Sequence, residues 1–209
     1  MCDTWLKGNG FLTCTKTINI TLENTMNPIK RLISEHETIM AALQILTKIC
    51  DASVTAGKIV NTVHVEQLVT FFKTFADAWH HVKEEDLLFP ALEQIGISRE
   101  GGPIGVMLIE HEQGREFVKG LLQSLTTFID DNDKGTNDFI NHSRGFIQLL
   151  SQHIDKENKV LFTMAEKHFS VSTLNELEVL FDQKTSTKTF IDIKAICESL
   201  ERLKSIYAI

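Results

Sequence analysis

From residue 28 onward the apolar positions recur at spacings of three and four, the mark of amphipathic helices. The first run, about 28 to 50, carries Leu32, Ile33, Ile39, Met40, Leu43 and Leu46. Asn27 supplies an N-cap, and Pro28 a first helical residue whose missing N–H costs nothing there. A second run, about 60 to 90, sets Leu68, Val69, Phe72, Ala76 and Leu87 on one stripe and stops near Pro90. Gly101-Gly102-Pro103 opens a third, about 104 to 130, and Asp130 to Gly135 form a turn before a fourth, about 136 to 168. Weaker helical patterns near 172 to 183 and 189 to 206 complete the chain. With few strand-like alternations, the natural packing is an all-α, antiparallel four-helix bundle flanked by two additional C-terminal helices.

Residues 1–25 are rich in Thr, Asn and Gly and show no sustained period. They are expected to be an irregular extension, with Met26 as the true start, 26–168 as the bundle and 169–209 as the flanking helices.

Composition narrows the partners. Twenty-one basic against twenty-eight acidic residues give a net charge of −7, and no stretch gathers Lys and Arg into a phosphate-binding face, so nucleic acid is excluded. The four cysteines are scattered without a CxxC pair, which argues against a disulfide framework or a zinc ribbon and for a reducing compartment. No apolar run is expected to reach the roughly 18 residues that span a bilayer, and no signal-peptide layout opens the chain. A cytoplasmic protein without a membrane partner is the expectation.

The chemistry lies in a repeat. A His followed four residues later by Glu shares one helix face with it. Eight histidines and seventeen glutamates predict less than one such pair by chance, yet three occur: His80 with Glu84, His81 with Glu85, and His153 with Glu157. The segment from His80 to Phe89 aligns with that from His153 to Phe162, sharing His, Lys, Glu, Leu and Phe in register. Glu35-His36-Glu37 likewise matches Glu110-His111-Glu112, so the chain reads as a duplicated helical hairpin. Stepping by three and four, His36, His80, Glu84, His111 and His153 fall on apolar stripes, whereas His81 shares its face with Asp77, Thr74 and Lys73. Four histidines and two glutamates thus converge in an apolar interior, where unpaired carboxylates are costly. Two cations bridged by Glu84 and Glu157 resolve this, and a mixed N and O donor set suits iron or manganese better than thiolate-seeking metals.

These segments, together with the text from Gly101 to Arg115, resemble the hemerythrin-like, or HHE cation-binding, family over about residues 28 to 168. The resemblance implies a non-haem centre of two iron ions, oxo- or hydroxo-bridged, with manganese the second choice. His36, His80, His111 and His153 would be terminal ligands and Glu84 and Glu157 bridges. Oxygen-carrying members place a further His where this chain has Arg115. The smaller ligand set leaves about two of roughly twelve coordination positions open on an octahedral pair. That favours reaction with dioxygen, nitric oxide or peroxide. An iron-sensing or iron-donating module with an unknown redox or iron-accepting protein partner is the alternative, and a metal-stabilised structural bundle the third reading.

His81, Glu85 and Arg115 are expected to stand around the ligands rather than among them, with His81 more a solvated or supporting residue than a ligand. Lys83 and Lys156 are read as surface residues, His64 and His142 as polar residues remote from the centre, and His168 as a helix-end charge.

Overall fold

The computed structural model describes residues 27–185 and 189–209, and every element among them is helical. The expectations for residues 1–25 and for a start at Met26 lie outside the described residues. Helix α1 (Pro28–Ala56) begins as the sequence predicts: Asn27 Oδ1 accepts the Ile29 N–H at 2.9 Å, with Pro28 in the first turn. It outruns its predicted end and stops at Gly57, whose φ of 64° is the left-handed conformation that glycine adopts without a Cβ penalty. The second predicted helix is broken in character. Helix α2 (Thr62–Phe71) passes into a π-helical stretch, π1 (Phe72–His81), then a second, π2 (Glu84–Leu88), before α3 (Phe89–Gln94).

Helix α4 (Pro103–Asp130) is separated from α5 (Asn132–Lys156) by Asp131 alone, whose carboxylate accepts the Lys134 N–H at 3.0 Å. The turn is therefore far shorter than the sequence suggested. These two helices form the most extensive packing among the described residues. Gly120 of α4 lies under the His142 ring of α5, and Gly145 of α5 lies under Phe117 of α4, a reciprocal fit of ring against glycine that lets the helices approach closely. A third π-helical stretch, π3 (Glu157–Leu161), continues α5 into α6 (Phe162–His168). Helices α7 (Val171–Thr185) and α8 (Thr189–Tyr207) follow.

Two apolar clusters form the core. One gathers Ile39, Leu46, Phe72, Leu121, Phe139 and Phe146, and includes Ile193, Cys197, Leu200 and Leu203 of α8. The other gathers Ile29, Leu88, Phe89, Met107, Phe162 and Phe181. Between the two clusters the buried residues include the repeated histidines and glutamates, so a polar layer divides the core. Helix α1 is long and apolar enough, by length and composition, to cross a membrane, which the sequence reading did not expect. Here its apolar face is spent on the core, and Glu35 and His36 are buried in it.

Candidate metal centre

His36, His80, His111, His153, Glu84 and Glu157 are each no more than 1% exposed. All six meet in the polar layer. Each histidine is oriented by a hydrogen bond from its Nδ1: His80 to Glu35 Oε2 at 2.9 Å, His153 to Glu110 Oε2 at 3.0 Å, His111 to Glu85 Oε1 at 2.6 Å, and His36 to Asn158 Oδ1 at 2.8 Å. A tethered Nδ1 turns Nε2 inward, the arrangement found around metal-bound imidazoles.

The Nε2 atoms face the two carboxylates. His80 Nε2 lies 3.3 Å from Glu84 Oε1, His111 Nε2 lies 3.6 Å from Glu84 Oε2, and His36 and His153 Nε2 each lie 3.2 Å from Glu157 Oε2. Each carboxylate thus reaches imidazoles of both halves. The ligating atoms of His36, His80, Glu84 and Glu157 all lie within 4.8 Å of one another, and those of His81, Glu84, His111 and His153 do the same.

Hydrogen bonding tests whether metal fits. Among the described residues, the buried side-chain atoms lacking a hydrogen-bond partner include His36 Nε2, His80 Nε2 and both oxygens of Glu84 and of Glu157. Buried polar atoms are normally paired, and these unpaired ones point at one another, so the donor set fits cations. Electrostatics agrees: burial would push the Glu157 carboxyl up, but His153 and His36 hold it well below its ordinary range.

Around this layer the two halves repeat a second motif. Trp79 Nε1 donates to Glu35 at 3.1 Å, and Lys83 pairs with the same carboxylate. Burial acts to raise the Glu35 carboxyl, and Lys83 and His80 more than reverse it, to about 2. Lys83 is fully buried, and this desolvation lowers its ammonium to about 8 against the pull of Glu35. In the other half Glu110 pairs with Lys156, which stays 41% exposed. The surface reading is therefore corrected for Lys83 and holds for Lys156, although in both halves the HxxKE repeat places Lys beside the carboxylate that orients the preceding His. Glu35, Glu110 and Asn158 were not singled out in sequence, although the first two stand in matching positions of the repeated Glu-His-Glu.

His81 is the larger correction. It is 6% exposed, and its ring stacks on His111 at 3.8 Å between centroids. The outward assignment assumed a 3.6-residue turn, whereas π1 is wider, closing i to i+5 bonds such as Val82 N–H to Asp77 O. The wider turn brings consecutive histidines His80 and His81 both inward. Burial, then the neighbouring His111, His80 and His153, keep His81 well below its ordinary pKa and hence neutral, the form that binds metal. Arg115, at the position of the missing fifth His, donates to Asp77 Oδ1 at 2.9 Å and to Glu85 Oε1 at 2.7 Å. Glu85 and Arg115 thus hold His111 from outside. The remaining histidines are elsewhere: His64 Nδ1 bonds the Tyr207 hydroxyl at 2.8 Å, His142 packs on Gly120, and His168 ends α6.

Described elements that are all helical, with a polar layer presenting inward imidazoles and carboxylates, mark a non-haem metal-binding protein. The sequence model of the hemerythrin HHE cation-binding domain matches residues 27–165, and the chain belongs to that family. It is also similar to proteins named iron-sulfur cluster repair protein YtfE. The protein of Salmonella schwarzengrund is 38% identical over 96 residues, covering 41% of this chain and 40% of the relative. Those of Enterobacter sp. strain 638 and Escherichia coli O1:K1 are 34% and 33% identical over 88 residues, with the same coverage. The alignment therefore spans about two fifths of the relatives' length.

Proposed function

We propose that this chain is a di-iron protein that binds or reacts with a small ligand, namely dioxygen, nitric oxide or peroxide. His36 and His80 would serve one iron and His111 and His153 the other, with Glu84 and Glu157 shared, in an antiparallel four-helix bundle built from two like hairpins. The observation that carries this reading is the set of buried, partnerless Nε2 and carboxylate oxygen atoms converging in one layer. His81 supports a fifth imidazole on the His111 side, which would leave about one coordination position open rather than two. Bound iron would supply redox chemistry and an open position for the ligand. The chain's own residues orient the imidazoles through Glu35, Glu85, Glu110 and Asn158, and exclude water with the two apolar clusters. Cytoplasmic residence accords with this chemistry.

Purified protein should carry close to two irons per chain, and its reduced form should change spectrum within seconds on stopped-flow mixing with nitric oxide, peroxide or dioxygen. Metal-free, colourless protein would overturn the reading. The name of the similar proteins, iron-sulfur cluster repair protein, favours one alternative, iron donation in cluster repair. Transfer of radiolabelled iron from this protein to an iron-depleted cluster protein, with no response to the three small ligands, would select it.

A further inference from the structure

Beside the polar layer, between π1, α4 and α5, lies a cavity of about 360 Å³. Its walls include Phe72, Ala76, Val118, Phe146 and Leu150, all buried and apolar. His81 belongs both to this lining and to the inward-facing cluster. The exposed liners Lys73, Lys119 and Leu122 mark the mouth.

A diatomic ligand or peroxide needs no such space. One water claims about 30 Å³, and the cavity falls within the roughly 300 to 1,000 Å³ of sites for organic molecules. At a similar share per heavy atom it holds about twelve. The charges at its edge are unequal. Arg115 is occupied by Asp77 and Glu85, and Lys119 by Glu116 at 3.3 Å, whereas Lys73 makes no ion pair among the described residues. At the inner side Glu110 is engaged by His153 and Lys156. Among the described residues the mouth therefore offers a cation without an ion-pair partner, above an apolar slot.

We propose that this cavity binds a medium-chain monocarboxylate, its alkyl chain lying along the apolar wall formed by Phe72, Val118 and Phe146 and its carboxylate at Lys73. The inference goes beyond the metal reading and does not require it, because the apolar walls Phe72, Ala76, Val118, Phe146 and Leu150 are not members of the metal cluster, which the cavity meets only at its inner side through His81 and Glu110. Gly114 lines the same slot, and a Cβ there would meet only Phe146, at 3.7 Å, so the absence of a side chain keeps the space open.

Isothermal titration calorimetry of the full chain, as purified with its metal, tests this with butanoate, hexanoate, octanoate, decanoate and decylamine. Expected is one site per chain, with affinity rising about fourfold per added CH₂, the equivalent of about 0.8 kcal/mol each. Decylamine should bind at least tenfold more weakly than decanoate, and Lys73→Glu should reverse that order. Leu122→Trp closes the mouth from an exposed position and should weaken decanoate at least tenfold, with metal content and circular dichroism unchanged. Absent saturable heat, a flat chain-length series, equal binding of decylamine, or undiminished binding by Leu122→Trp would each overturn the proposal. Decanoate binding by protein that never takes up iron would instead sink only the di-iron reading.

Discussion

Glu35 and Glu110 occupy matching places in the two halves, yet burial gives them unequal weight. Glu35→Gln leaves the Lys83 ammonium, fully buried, facing an amide. Breaking a buried pair in this way costs about 3–5 kcal/mol, because an uncompensated charge stays behind. Glu110→Gln releases Lys156 into water, and the loss should be about 1 kcal/mol or less. Urea unfolding of the two variants checks the contrast, and equal losses would contradict it. The same pair explains what the sequence could show. The four histidines and two glutamates were legible because each sits on an apolar stripe and recurs in register. The burial of Lys83 was not, since its partner lies 48 residues away on another helix, a separation at which no local spacing operates.

Helix periodicity is reliable while the turn keeps its 3.6 residues. It located α1, α4 and α5 to within a few residues at most ends, with Asn27, Pro28 and Asp131 acting as their chemistry suggests. It failed in π1, where nothing in the residue types from Phe72 to His81 announces a wider turn. A π-helical stretch buries an added residue on the inner face, and at this point that residue is His81. If His81 completes the His111 side of the cluster, His81→Leu should weaken retention of one cation per chain at least tenfold, the scale on which ligand-sphere changes act. His64→Leu, remote from the layer, should change nothing. Competition against a chromophoric chelator measures both, and identical retention by the two variants would return His81 to a packing role.

Over the whole molecule the C-terminal helices are part of the core. Ile193, Cys197, Leu200 and Leu203 of α8 join the larger apolar cluster, and each such burial is worth about 1.5–3 kcal/mol. Their sum is comparable with the roughly 5–15 kcal/mol that keeps a domain folded. A chain cut after His168 should therefore lose its cooperative thermal transition, and a sharp, unshifted melt would show the flanking helices to be dispensable. Helix α7 is placed asymmetrically. Phe181 lies over Lys83, and Asp182 accepts from Arg31 at 2.7 Å, closing the His36 and His80 side. Among the described residues the duplicate side lacks a matching helix: Lys156 reaches solvent and the cavity opens beside His81. Two hairpins alike in sequence thus differ in traffic. A cation on the His111 side would exchange with solvent on a shorter clock than its neighbour, and the repeat would work as one resident and one visitor.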